Sequence, residues 1–226
     1  MKRPKSICLL ILLELILVHA NSCKKSDDSN LVTDIDGNVY NTVTIGSQTW
    51  MKENLKVIHY RNGDPISKVT NDSAWKSFST GAYCDYDNKT ANSITYGKLY
   101  NWFTIVNSRK LCPTGWHVPS DGEWTTLTTF LGGENIAGGK LKESGTTHWL
   151  DPNTGATNES LFTAIPGGIR LDFGKFIMIG SYGTWWSTTE YDTYSAWSRN
   201  VYNNHINLDR YNFFKLNGMS VRCVKD

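Results

Sequence analysis

Along most of the chain, hydrophobic and polar positions alternate only in short runs, separated by turn residues. Ile35 to Tyr40 carries an Asp36-Gly37 turn and Val43 to Trp50 brackets another at Gly46-Ser47, so two β-hairpins are predicted to open the folded part. Helical periodicity follows in three places. Asn71-Asp72-Ser73 ahead of Trp75 and Phe78 predicts a short capped helix, and Tyr96, Leu99, Tyr100, Phe103 and Val106 share the face of an amphipathic one. The best signal is Ser120-Asp121-Gly122-Glu123, a capping box behind Pro119 that places Trp124, Leu127 and Leu131 on one face and ends at Gly132-Gly133. Beyond Gly139 the pattern is loop-like, punctuated by Gly145, Asp151-Pro152-Asn153, Gly155, Pro166-Gly167-Gly168 and Gly174. Strand-like runs return at Phe176 to Ile179, Trp185 to Thr188, Ala196 to Tyr202 and Gly218 to Val224, the last expected to close a sheet.

The N-terminal segment follows a different pattern. Lys2, Arg3 and Lys5 precede an apolar run from Ile7 to Val18 broken only by Glu14, so residues 1–22 read as a signal peptide. As a helix this run spans roughly 18 Å, short of the ~30 Å hydrocarbon layer. Ala20-Asn21-Ser22-Cys23 resembles a bacterial lipobox, in which the cysteine becomes the lipidated N-terminus. Cys23 is therefore the expected lipidation residue, with ordinary secretion and cleavage elsewhere as the alternative. Residues 23–30 form a polar tether. The order of Lys24, Lys25, Asp27 and Asp28 also resembles the surface-export signal of Bacteroidota lipoproteins, against a generic solvated linker. The expectation is one domain over residues 31–226, held to the outer membrane or cell surface by its lipid, with the membrane as a partner.

Composition narrows the function. Nine Trp, 11 Tyr and 8 Phe in 226 residues are enough to build a core. Of 23 basic and 21 acidic residues, three bases and one acid lie in the leader, so the remainder balances at 20 of each. Nothing in that balance favours nucleic acid as a partner.

Several segments together resemble the Fibrobacter succinogenes major paralogous domain: Asp34 to Tyr40, Ile45 to Met51, Tyr96 to Trp102, Cys112 to Trp124, Pro166-Gly167-Gly168, Trp186 to Glu190 and Ser220 to Val224. That family is common in exported bacterial lipoproteins and has no established biochemical activity. More remotely, Val118 to Trp124 and Val221-Arg222-Cys223 resemble motifs of the formylglycine-generating (sulfatase-modifying) enzyme superfamily, a variant of the C-type lectin-like fold. The resemblance implies an α+β domain: small antiparallel sheets flanked by two or three helices, with long loops. It also implies that Cys112 and Cys223 are neighbours joined by a disulfide, leaving Cys84 a buried thiol; Cys84 with Cys112 is the competing pair.

The enzyme superfamily binds copper through a C-terminal cysteine pair, and between Cys112 and Cys223 this chain has no cysteine. A Cys84 nucleophile with His117 or His59 as base is conceivable but has no local support. His59, His117, His148 and His205 lack zinc spacing, and no phosphate loop is present. Asp34, Asp36 and Asn38 mimic the start of a calcium loop, yet Val39 and Ile45 stand where such a loop needs Gly and Glu, so a turn is expected.

Binding is what remains. Sugar recognition combines aromatic faces with planar polar groups, and Trp149, Tyr182, Trp185, Trp186 and Tyr191 lie near Asp151, Asn153, Asn158, Glu159 and Glu190. Asp151-Pro152-Asn153 is similar to the Glu-Pro-Asn calcium motif of C-type lectins, although the triplet is also a common turn. Calcium is thus the single cofactor the sequence could bring in, and no other metal site is expected. Strand alternation should turn one of Trp185 and Trp186 outward. Arg170, Arg199 and Arg210 could meet a carboxylate-bearing ligand or brace loops. The expectation is a non-enzymatic envelope lipoprotein, with no catalytic residues, binding a glycan or protein through loops. The alternatives are an envelope enzyme using Cys84, His117 and loop carboxylates, or a purely structural or adhesive surface component.

Overall fold

The computed structural model describes Met1 and residues 30–226. The expected leader, the lipidated Cys23 and all of the tether before Asn30 lie outside the described residues. The domain is mixed α+β, built from several small, mainly antiparallel sheets and short helices.

Strands are numbered in chain order. The largest sheet holds β1 (Leu31–Thr33), β2 (Val39–Ile45), β3 (Gln48–Met51), β7 (Trp116–His117) and β13 (Val224–Lys225), in the order β1-β2-β3-β13-β7. Both predicted hairpins are here. Ile45 pairs with Gln48 across Gly46-Ser47, a two-residue turn for which Gly46 supplies a φ of +61°. In the β1–β2 turn, Asp34 Oδ1 accepts the N–H of Asp36 and of Asn38, and its Oδ2 accepts the Tyr40 hydroxyl at 2.6 Å. The calcium-like spacing of Asp34, Asp36 and Asn38 is therefore a turn closed on itself. The C-terminal strand lies between β3 and β7, with Val224 facing Trp50 and His117.

A second sheet runs β10 (Tyr182–Glu190), β11 (Ser195–Tyr202), β12 (Asp209–Phe214). The remaining strands are short: β4 (Ser67–Lys68) with β5 (Ala82–Cys84) and β6 (Leu99–Tyr100), and the hairpin of β8 (Ile169–Arg170) and β9 (Phe176–Ile177).

The helices are α1 (Asp72–Ser77), α2 (Thr90–Tyr96), α3 (Trp102–Ile105), α4 (Asp121–Phe130) and α5 (Glu134–Leu141). Asn71 caps α1, and α4 has the reciprocal capping box between Ser120 and Glu123. The amphipathic helix expected from Tyr96 to Val106 is instead two helices parted by a strand. Gly97 ends α2 with φ +78°, where a side chain would overlap Asn54, and Leu99-Tyr100 pair with Cys84, Tyr83 and Met219. Tertiary pairing overrides the helical period there. Helix α5 was not legible because Gly138 and Gly139 break its pattern. Those glycines are packing positions, since added Cβ atoms would fall 2.0 Å from the Asn207 carbonyl oxygen and 2.5 Å from that of Gly155.

The core has two main bodies that meet at β10. One gathers Tyr40, Tyr100, Trp116 and Trp186; the other gathers Trp50, Trp124, Phe162 and Trp185. A third cluster holds Trp75, Cys84 and Leu99. The Arg222 guanidinium is fully buried in the centre. It donates to Asn54 Oδ1 (2.9 Å) and to the carbonyls of Phe162 and Thr163, and stacks 4.1 Å from the Phe162 ring. The same Asn54 oxygen accepts the Trp185 indole N–H at 2.8 Å. Burial pushes the Arg222 guanidinium down to about 9, against a smaller opposing attraction from Glu53. Cys112 and Cys223 form the disulfide, across a sequence separation of 111.

Candidate binding site

The tryptophans expected to face a ligand are buried. Trp149 is 1% exposed and its indole N–H donates to the Ala164 carbonyl at 3.0 Å; Trp186 is 0% exposed and donates to the Tyr100 carbonyl at 2.9 Å. Alternation does turn Trp185 and Trp186 to opposite faces of β10, but both faces are covered, so neither side chain reaches solvent.

The predicted polar residues are also dispersed. Asp151 is exposed, whereas Asn153 is buried and its amide donates to the carbonyls of Glu143 and Gly145 at 2.8 and 2.6 Å. Nearby, the buried Lys142 ammonium donates to the carbonyls of Thr154, Tyr202 and His205, each at 2.9 Å. Burial pushes that ammonium down to about 8. Two segments, at Thr154 and at Tyr202 to His205, thus converge on a lysine cation, and Asn153 ties its turn to Glu143 and Gly145. Asn158 closes a turn on Thr163, and Glu159 pairs with Lys140 at 3.2 Å. Among the described residues, no three His, Cys, Asp or Glu side chains gather as a metal site.

Glu190 is the predicted residue that leads to a cleft. Its carboxylate accepts from Lys215 Nζ at 2.7 Å, and Lys215 also donates to the Thr193 carbonyl at 2.9 Å while lying 4.6 Å above the Trp102 ring. Lys215 is only 7% exposed, and its backbone N–H donates to the Tyr194 carbonyl. Asp192 Oδ1 accepts from the Ser195 hydroxyl and from the N–H of Tyr194 and Ser195, which keeps its carboxyl below the usual range. These bonds fix the 190–195 loop.

Beneath that loop opens a mainly apolar cavity of about 220 Å³. Phe103, Tyr194 and Phe214 form its aromatic walls, with Asp172, Thr193 and Lys215 as polar groups. Tyr194 is 74% exposed and Phe214 58%. The opposite rim is the tip of the β8–β9 hairpin, which carries Asp172. Arg170 holds that tip. Fully buried, it donates to the carbonyls of Gly174, Val69 and Thr70 and to Asp72 Oδ1, and its guanidinium lies between the rings of Trp75 and Phe176. Gly174 is required there, because at φ +100° a side chain would run into Asp72. The cleft is thus rigid on both sides, each wall pinned by a buried cation.

A profile of the Fibrobacter succinogenes major domain matches residues 43–225. The chain belongs to this family. No curated protein and no solved structure gives a significant match. In this member of the family, the matched region contains the whole cleft and both of the cations that frame it.

Sequence reasoning missed Phe103, Asp172, Tyr194, Phe214 and Lys215. Phe103 falls on one face of the amphipathic helix expected from Tyr96 to Val106, which forms instead as two helices parted by a strand, with Phe103 in α3. The available signal was the Phe213-Phe214 doublet, where strand alternation must turn one ring outward.

The cysteine and histidines named in the enzyme alternative are buried or hydrogen-bonded. Cys84 is 0% exposed, and burial pushes its thiol up to about 12. Both His117 ring nitrogens are taken, Nδ1 by Asp226 and Nε2 by Glu123, each at 2.6 Å, and His59 Nδ1 is taken by Asp36. Arg199 and Arg210 both bond Asp121 at the start of α4, with Arg210 also stacked on Trp197, so they brace the domain.

Proposed function

We propose that this protein is a lipid-anchored component of the cell envelope, at the outer membrane or cell surface, whose domain binds a glycan in the Phe103–Tyr194–Phe214 cleft without chemical turnover. The observation that carries it is the cleft's composition: aromatic side chains left exposed on a frame fixed by buried Lys215, with a carboxylate and a hydroxyl at the rim. Exposed rings at a rigid site offer stacking faces to the apolar side of a sugar, and Asp172 and Thr193 offer acceptors to its hydroxyls. The anchor rests on Ala20-Asn21-Ser22-Cys23. A C-type lectin-like fold is supported by the C-terminal strand inserted between β3 and β7, the Cys112–Cys223 bridge and the long loops that build the cleft. Binding is metal-independent, because the polar groups of the cleft are too few to coordinate calcium.

The test is a panel of immobilised glycans probed with the full-length chain, with calcium and with chelator, beside Tyr194→Ala. Binding that ignores chelator and fails in Tyr194→Ala is the expected result. Binding abolished by chelator would return attention to Asp151 and Asn153. Silence on every glycan would refute the glycan reading and leave a protein ligand or a structural role.

A further inference from the structure

The cleft has a neighbour. On the other side of the same hairpin tip lies a more open depression of about 680 Å³, lined by Asp72, Asp87, Asn88, Lys89, Phe173 and Lys175 among others. Asp172 belongs to the first cleft and Phe173, the next residue, to the second. Resting on the glycan reading above, we infer that the ligand is a linear, uncharged glycan several sugars long, lying across the β8–β9 tip and filling both clefts.

Size is the first reason. The aromatic cleft, at about 220 Å³, falls below the ~300–1,000 Å³ of ordinary ligand sites, so a ligand of ordinary size seated there extends past its rim, and the hairpin tip carrying Asp172 and Phe173 leads to the second depression. Composition is the second. Phe173 is 51% exposed, giving the second cleft its own stacking face beside the amide of Asn88 and the carboxylate of Asp87. Asp87 and Asn88 both hold left-handed backbone, at φ 53° and 55°, a turn conformation that Asp and Asn adopt more readily than other non-glycine residues. The Asn88 amide ties this turn to the Thr70 carbonyl.

Rigidity and charge complete the case. Arg170 binds the tip to Val69, Thr70 and Asp72, so the ridge between the clefts is a fixed saddle. The second cleft sets two aspartates against two lysines, and Lys215 in the first is matched by Glu190. Neither cleft carries the excess of positive charge that would hold an anionic chain.

The experiment is calorimetric titration of the full-length chain with neutral linear glucan, mannan and xylan oligosaccharides of two, four and six units, beside oligouronides of the same lengths. For the glycan that binds, affinity should rise at least tenfold from two units to six. Phe173→Ala should lower the six-unit affinity while leaving two-unit binding intact, and Phe214→Ala should lower both; unchanged thermal midpoints establish that each variant is folded. Affinity that is flat with length, or indifferent to Phe173→Ala, would overturn the extended ligand and leave the single-cleft glycan reading standing. Oligouronides binding as well as neutral chains would overturn its uncharged character. No binding at any length would remove the glycan reading itself, and this inference with it.

Discussion

Trp185 and Trp186 are consecutive on one strand, and each is buried in a different core. Trp185 packs with Trp124 and Phe162 and donates to Asn54 Oδ1; Trp186 packs with the Tyr100 side and donates to the Tyr100 carbonyl. Strand β10 is therefore a partition with no solvent face at that point. Truncating either ring leaves a large void on its own side. Trp185→Ala and Trp186→Ala should each cost about 3–5 kcal/mol, read as a lower urea midpoint, while glycan binding per folded molecule is retained. A loss of binding at unchanged stability would contradict this placement.

The proposed binding surface makes the complementary prediction. Tyr194 and Phe214 are exposed and Trp149 is not. Tyr194→Ala and Phe214→Ala should reduce affinity with thermal midpoints within a few degrees of the parent, whereas Trp149→Ala should lower the midpoint sharply. Calorimetric titration and a thermal scan on the same preparations separate the two effects.

What could be read from the sequence divides along a physical line. The Gly46-Ser47 hairpin, the Asn71 cap and the Ser120–Glu123 capping box were legible because each is decided by residues within a few positions of one another. The broken helix at Gly97 and the formed helix across Gly138-Gly139 were not, because distant backbone decides them: Asn54 in one case, Asn207 and Gly155 in the other. The exposure expected of the tryptophans failed for the same reason. Aromatic residues near carboxylates in sequence marked a ligand region, but for Trp149 and Trp186 burial depends on which sheet faces are covered, and a one-dimensional pattern does not carry that. Glu190 stands out in the sequence, but its ion pair with Lys215, 25 residues away, does not.

The hydrogen bonds of Arg222 all go to uncharged acceptors. With Asn54 Oδ1 and the carbonyls of Phe162 and Thr163 around it, replacement by Met would leave the two carbonyls without a donor and Asn54 Oδ1 with the Trp185 indole N–H alone. At roughly 1–3 kcal/mol for each, offset in part by relief of a desolvated charge, Arg222→Met should destabilise the domain by about 3–5 kcal/mol. Arg222→Lys should restore little, because one ammonium cannot reproduce the planar fork. Denaturant midpoints of the three proteins decide it.

The disulfide closes a long loop. With a sequence separation of 111, removing it should cost on the order of 4–5 kcal/mol through the entropy returned to the unfolded chain. Reductant should therefore lower the denaturation midpoint. Cys84 should resist alkylation until the domain unfolds, since it is buried and its thiol is pushed up to about 12. Peptide mapping after iodoacetamide treatment tests both claims, and a Cys84–Cys112 peptide would contradict the pairing.

His117 links the last residue of the chain to α4. Its Nδ1 meets Asp226 and its Nε2 meets Glu123, the residue that closes the capping box on Ser120. Burial disfavours the charged ring, but the bonds to Asp226 and Glu123 outweigh it and raise the His117 pKa above its usual value of 6.5. For Glu123, burial is outweighed by bonds from Ser120 and His117, and its carboxyl lies below the ordinary range. A base with a raised folded-state pKa contributes stability fully below its unfolded value, and that contribution is lost as pH rises through the folded one. The Glu123 contribution runs the other way, present above its unfolded pKa and lost as pH falls through the depressed folded value. The bridge is therefore strongest between the two. The thermal midpoint of the parent should exceed that of His117→Gln at pH 6, and the gap should close toward pH 9. Comparing the two proteins at each pH cancels the His59, His148 and His205 pairs, which are common to both. A gap that stays constant over that range would show that His117 acts by packing alone.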